Sequence, residues 1–193
     1  MATTHLLYLH GFRSSPQSAK ARLMADYVAR RHPGVRFWCP QLPPSPRAAA
    51  QLLAQGLAAW PKSMAVAGSS LGGYYASWVA QQRGCPSVLV NPAVNPARDL
   101  ERYIGEQTAW HDPAERFFFR AEYIDELRAL DVRGQPPAGP ALVLIAQGDE
   151  VLDWREMAAR YTSARQIVTE GGDHAFPAFA DYLPEVASFL HLA

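Results

Sequence analysis

Gly68-Ser69-Ser70-Leu71-Gly72 constrains this chain more than any other stretch. An apolar run, Met64-Ala65-Val66-Ala67, leads into it and reads as a short buried strand. Gly72 to Gln82 leads out and reads as a buried helix. A strand that turns so sharply into a helix holds its central serine in a strained backbone conformation with the hydroxyl exposed. Flanking glycines remove Cβ atoms that would collide in the turn. The helix start adds partial positive charge beside the serine oxygen.

The same alternation recurs along the chain. His5–Leu9, Val35–Cys39, Met64–Ala67, Ser87–Val90, Ala141–Ala146 and Gln166–Thr169 read as strands, with helical patterns between most of them. This predicts an α/β fold with a mostly parallel sheet of about six strands and helices on both faces. Ser15 with Pro16, and Ser45 with Pro46, read as helix starts. Phe179, Tyr182, Leu183, Val186 and Leu190 give a closing helix an apolar face, and Pro184 is expected to kink it.

Residues 92–140 break the alternation. They are rich in aromatic and charged side chains, lack an obvious strand, and return to the sheet through a Pro/Gly stretch from Gly134 to Pro140. Short amphipathic helices are expected there, forming a lid over the carboxyl ends of the strands, where open α/β sheets bind ligands. With 193 residues and 49% hydrophobic content, residues 1–193 are expected to form one domain.

Basic and acidic residues balance at 18 each, which argues against an electrostatic grip on nucleic acid or an anionic membrane. The start of the chain lacks a basic stretch followed by an apolar signal core, and no apolar segment approaches membrane-spanning length. A cytoplasmic protein is expected. Cys39 and Cys85 have no metal-ligand spacing and read as reduced, buried thiols.

Gly68 to Gly72 fits G-x-S-x-G, the nucleophile elbow, which makes Ser70 a candidate nucleophile. A serine hydroxyl needs a base, and the base an orienting acid. On such a fold the chain order is serine, acid, histidine. His174 alone among the six histidines follows the last strand in a glycine-rich loop, Gly171-Gly172-Asp173-His174, and is the candidate base. Asp149, Glu150 and Asp153 share the loop after the fifth strand. Asp149 is preferred as the acid, because Asp153 precedes Trp154-Arg155-Glu156 and reads as a helix cap. Asp173 adjoins the histidine, and adjacent loop side chains diverge. Two backbone N–H donors are needed for a tetrahedral oxyanion. Leu71 follows the nucleophile, and Phe12 lies in the loop after the first strand, His10-Gly11-Phe12-Arg13. His10 reads as a support for that loop. No metal-ligand cluster and no phosphate-binding glycine loop is present, so no metal or cofactor is expected.

These segments, with Asn91-Pro92-Ala93-Val94, Gly148-Asp149-Glu150-Val151-Leu152-Asp153 and Tyr103-Ile104-Gly105-Glu106-Gln107, resemble the small bacterial YqiA-type esterases (UPF0227) of the α/β-hydrolase superfamily. The resemblance runs from about Leu7 to Leu190. It implies a compact hydrolase of the α/β-hydrolase fold with a Ser70-Asp149-His174 triad. The implied substrates are small carboxylic esters or thioesters of the acyl-CoA kind. Two rivals stand beside this reading. One is an acyltransferase using the same triad, the other a catalytically silent binding protein on the same scaffold. Trp110, Phe117 and Phe118 line an acyl pocket in one reading and pack as lid core in another.

Overall fold

The computed structural model describes residues 2–135 and 137–193. The Gly134–Pro140 return contains residue 136, which lies outside the described residues.

Six strands form one sheet: β1 (His5–Leu9), β2 (Arg36–Trp38), β3 (Met64–Ser69), β4 (Ser87–Val90), β7 (Ala141–Ala146) and β8 (Arg165–Thr169). Their order is β2-β1-β3-β4-β7-β8, and every pairing is parallel. The pleat sends alternate residues to opposite faces. Leu6 and Tyr8 of β1 and Ala65 and Ala67 of β3 pack with Met24 and Val28 of α1 (Ala19–Arg31) and Phe179 and Val186 of α7 (Phe179–Phe189). On the other face, Leu7, Leu9 and Val66 pack with Leu53 of α2 (Pro46–Leu57), Tyr75 and Val79 of α3 (Leu71–Arg83) and Met157 of α6 (Trp154–Arg160). Both faces of the sheet centre are therefore covered, which is why β1, β3, β4 and β7 read as nearly continuous apolar runs. The edge strands β2 and β8 carry polar, partly exposed residues.

Of the two expected helix starts, one forms as read and the other does not. Ser45 caps α2 with Pro46 at its first position, and Ser45 Oγ accepts from the Ala48 amide at 3.1 Å. Ser15 does not cap α1. Its Oγ accepts from the Gln17 amide at 3.1 Å in a local turn, and the helix begins at Ala19 after Ser18. The short-range bond of a serine hydroxyl competes with helix at that point. Cys39 and Cys85 are free thiols.

Between β4 and β7 the chain forms α4 (Pro96–Asp99), a 3-10 turn (Glu101–Tyr103), β5 (Gly105–Thr108), β6 (Arg116–Phe119) and α5 (Glu122–Ala129). The antiparallel pair β5–β6 corrects the expectation that this stretch lacks strands. Phe117, Phe118 and Phe119 suit a pleated surface, and pairing with Gly105–Gln107 satisfies their backbone groups. Among the described residues, no helix is long and apolar enough to cross a membrane.

Candidate active site

Ser70 sits between β3 and α3 with φ 56° and ψ −125°, outside the regions favoured by L-residues. Backbone hydrogen bonds hold the turn, among them one from the Tyr74 amide to the Ser70 carbonyl at 3.3 Å. The Ser70 amide donates to the Val90 carbonyl at 3.0 Å, and the Ser70 carbonyl accepts from the amides of Gly73 at 2.9 Å and Ala93 at 3.0 Å. Space dictates the glycines. A Cβ at Gly72 would fall 2.0 Å from the Leu9 carbonyl oxygen, and one at Gly68 would fall 2.3 Å from the Gly72 carbonyl oxygen.

His174 lies in the loop after β8. Its Nε2 is 3.0 Å from Ser70 Oγ, and its Nδ1 is 2.8 Å from Asp149 Oδ2. A carboxylate only accepts, so Nδ1 carries the proton and Nε2 presents a lone pair to the hydroxyl. Asp149 follows β7, and its side chain is fully buried. The other carboxylate oxygen, Oδ1, accepts from the amides of Val151 and Leu152, each at 2.8 Å. Asp153 is elsewhere occupied: Oδ1 accepts from the Arg155 amide at 2.9 Å and caps α6. Glu156, at the third position of that helix, pairs with Arg98 through two bonds of 2.8 and 2.7 Å. Asp173 turns away from the imidazole, and its Oδ1 accepts from the Phe176 amide at 3.1 Å.

The loop after β1 runs alongside. Buried His10 accepts from the Leu42 amide through Nε2 at 3.1 Å. That bond requires a lone pair on Nε2, so Nδ1 carries the proton and donates to the Gly11 carbonyl at 3.0 Å. Burial lowers the His10 pKa from its ordinary value, opposed by the hydrogen bond to the Gly11 carbonyl and aided by the Coulomb effect of His111. The Gly11 carbonyl and the Phe12 amide belong to one planar peptide and point in opposite directions. Anchoring one therefore aims the other. Among the described residues, no protein acceptor takes the Phe12 or Leu71 amide. The Phe12 ring packs against Tyr103, Phe117 and Phe119 at centroid distances of 5.6, 5.9 and 5.2 Å, tying this loop to the segment between β4 and β7.

Three positioning contacts were not legible as such in the sequence. Asn91 is buried in the left-handed region at φ 41°. Its Nδ2 donates to the Asp173 carbonyl at 3.1 Å and the His174 carbonyl at 3.4 Å, while its Oδ1 accepts from the Ala146 amide at 2.9 Å. Glu150 Oε2 accepts from the His174 amide at 3.0 Å. Lys20 Nζ donates to the Ala175 carbonyl. The only sequence signal was a polar residue directly after an apolar strand for Asn91, and for Lys20 none.

A cavity of about 530 Å³ opens at Ser70, lined by Phe12, Leu71, Leu100, Tyr103, Leu152 and His174 among others. A smaller one of about 270 Å³ shares Gly11, Phe12, Arg13, Ser14 and Leu71 with it. Trp110 lines the larger cavity, Phe117 the smaller, and Phe118 is exposed at the surface. Among the described residues, no group of three His, Cys, Asp or Glu side chains is arranged to hold a metal ion.

Comparison with known proteins agrees with this architecture. The esterase domain of a Rhodothermus marinus protein superposes with a TM-score of 0.71 at 17% identity, covering 99% of this chain and 88% of that one. Est1E from Butyrivibrio proteoclasticus gives 0.70 at 14% identity over 98% and 86%. Mouse alpha/beta hydrolase domain-containing protein 10 gives 0.73 at 17% identity over 97% and 90%. These likenesses establish the α/β-hydrolase fold. By sequence, a UPF0227 protein of Shewanella sediminis (strain HAW-EB3) is 28% identical over 125 residues, which spans 64% of this chain and 63% of the relative. The family model described as uncharacterised protein family UPF0227 matches residues 5–191, and the chain belongs to that family.

Proposed function

We propose that this protein is a serine hydrolase that cleaves small carboxylic esters or thioesters through an acyl-enzyme. The observation that carries the reading is the unbroken hydrogen-bond path from Ser70 Oγ through both His174 nitrogens to Asp149 Oδ2, at 3.0 and 2.8 Å.

In this reading His174 Nε2 takes the hydroxyl proton as Ser70 Oγ attacks the acyl carbonyl. Asp149 holds the imidazole in the required tautomer and stabilises the imidazolium. The amides of Phe12 and Leu71 receive the oxyanion. His174 then protonates the leaving group, and afterwards activates the water that releases the acid. Every step uses a group of this chain. Residues 92–140 act as the cap of the site: Ala93, Leu100, Tyr103 and Trp110 line the cavity from that segment.

Labelling with a fluorophosphonate probe tests the reading. The wild-type protein is expected to take one label, on Ser70, and to hydrolyse p-nitrophenyl butyrate. Ser70→Ala is expected to do neither. A folded wild-type protein that neither labels nor turns over the ester would refute it, and would favour a silent scaffold.

A further inference from the structure

Three cationic side chains border the cavity beside Ser70 without forming an ion pair among the described residues. Arg13, Lys20 and Arg102 all line it. Among the described residues, none of the three pairs with a carboxylate. Arg13 and Lys20 are half-buried. Lys20 feels the nearby carboxylates of Asp173 and Asp149 without pairing with either, whereas Arg13 has no such partner among the described residues. Holding a cation partly out of water without a paired counter-charge costs free energy that an anionic ligand recovers.

The two cations are held in place. Arg13 Nε donates to the Thr108 carbonyl at 2.6 Å, and its guanidinium lies 4.2 Å from the centre of the Trp110 ring. The Arg13 carbonyl accepts from the Trp110 amide at 2.7 Å. The terminal amino groups of this guanidinium have no protein acceptor among the described residues. Lys20 uses one donor on the Ala175 carbonyl, directly after His174, and keeps two more. Burial lowers the Lys20 pKa, opposed by Asp173 and Asp149. Of the carboxylates that line the same cavity, one is ion-paired and the other is held by a backbone amide while keeping its charge. Asp99 pairs with Arg98 at 2.8 Å, and Glu150 accepts from the His174 amide.

We propose that the substrate of this site is an ester or thioester carrying a second, anionic group, a carboxylate or a phosphate, received by Arg13 and Lys20 with Arg102 beside them. This rests on the hydrolase reading above and narrows its substrate class. The anion sits either on the acyl portion or on the leaving group, and matched substrates separate the two.

For the acyl side, p-nitrophenyl hydrogen adipate is compared with p-nitrophenyl methyl adipate. For the leaving group, butyryl-coenzyme A is compared with butyryl-N-acetylcysteamine. The anionic member of one pair is expected to have kcat/KM about tenfold higher, mostly through KM, as one charge-assisted hydrogen bond allows. Raised salt shrinks the ratio. Arg13→Gln, Lys20→Gln and Arg102→Gln each bring the ratio toward one, and Arg13→Lys restores part of it. Arg102 is exposed, so its variant keeps the test open where Arg13→Gln disturbs folding. Ratios near one in the wild type for both pairs, or ratios indifferent to all three variants, overturn the proposal.

A second readout needs no turnover. Tryptophan fluorescence of Ser70→Ala is followed during titration with adipate and with coenzyme A, because Trp110 stacks on Arg13. A saturable change that disappears in Ser70→Ala/Arg13→Gln supports the anion site even if no ester is hydrolysed, in which case the hydrolase reading alone fails. Absence of any saturable change overturns the anion site while leaving neutral-ester hydrolysis to be judged separately.

Discussion

Asn91 holds the backbone on both sides of the Asp173–His174 peptide boundary. Its amide nitrogen reaches the carbonyls of Asp173 and His174, and its amide oxygen accepts from Ala146 at the end of β7. One side chain thus fastens the loop that carries the imidazole to the strand that precedes Asp149. Asn91→Ala is expected to lower stability by about 1–3 kcal/mol, since it leaves the buried Ala146 amide without its partner. It is also expected to reduce kcat more than it raises KM. Chemical denaturation and steady-state ester hydrolysis measure the two effects; an unchanged kcat in a destabilised variant would make Asn91 purely structural.

Asp149 and Asp153 lie in one loop but serve different partners. Asp149→Asn is expected to lower kcat by about 10³–10⁴-fold by favouring the wrong imidazole tautomer. Asp153→Asn keeps a good capping residue and is expected to leave both kcat and stability nearly unchanged, while Asp153→Ala costs about 1 kcal/mol through loss of the cap. The reverse ranking in hydrolysis assays would move the acid to Asp153.

Ser70 gives its strain a thermodynamic signature. Ser70→Gly is expected to be more stable than Ser70→Ala by about 1 kcal/mol or more, because glycine adopts φ 56° without a Cβ penalty. Both variants should be inactive. Equal melting temperatures would mean that the elbow stores little strain.

Gly72 has no room for a side chain. Gly72→Ala brings a Cβ to 2.0 Å from the Leu9 carbonyl oxygen, and backbone rather than a flexible side chain must give way. A loss of about 3 kcal/mol or more is expected, as overpacking forces backbone shifts. Thermal melting and soluble yield check it.

His10 predicts an acid-labile loop. Burial lowers its folded pKa below the ordinary value, so between the two the unfolded chain binds the extra proton. The neutral imidazole's contribution is complete above about pH 6.5 and is lost as pH falls through that range. Protonation would also put a hydrogen where the Leu42 amide now donates. His5 shifts in the same direction, through burial and Arg36. The melting temperature should therefore fall below about pH 6.5, and His10→Gln should flatten part of that slope. A wild-type slope identical to that of His10→Gln would assign the loss to other groups.

Much of this fold is legible in the sequence because the central strands β1, β3, β4 and β7 are compact apolar runs bounded by glycine, proline or a polar loop. The elbow is legible for a stronger reason: Gly68 and Gly72 leave space that only main chain can occupy. The positions of Ser70, Asp149 and His174 follow from where three strands end. Two kinds of feature stayed hidden. The β5–β6 pair depends on contacts across a loop, and Gly105-Glu106-Gln107-Thr108 carries no apolar residue to mark it as a strand. Lys20 and Asn91 act through carbonyls far along the chain, and a bond to a backbone oxygen writes nothing into the sequence at the accepting end.

β4 and β7 pair side by side in register, Ser87 with Ala141 and Val90 with Leu144, although the whole intervening segment lies between them in the chain. The two ends of that excursion therefore stand on neighbouring strands. A longer, shorter or foreign excursion can be spliced between the same anchor points without shifting a single rung of the ladder beneath. Such a splice would have to keep Ala93, which donates to the Ser70 carbonyl, and the aromatic faces on which Phe12 rests, because at these points the excursion touches the strand ends.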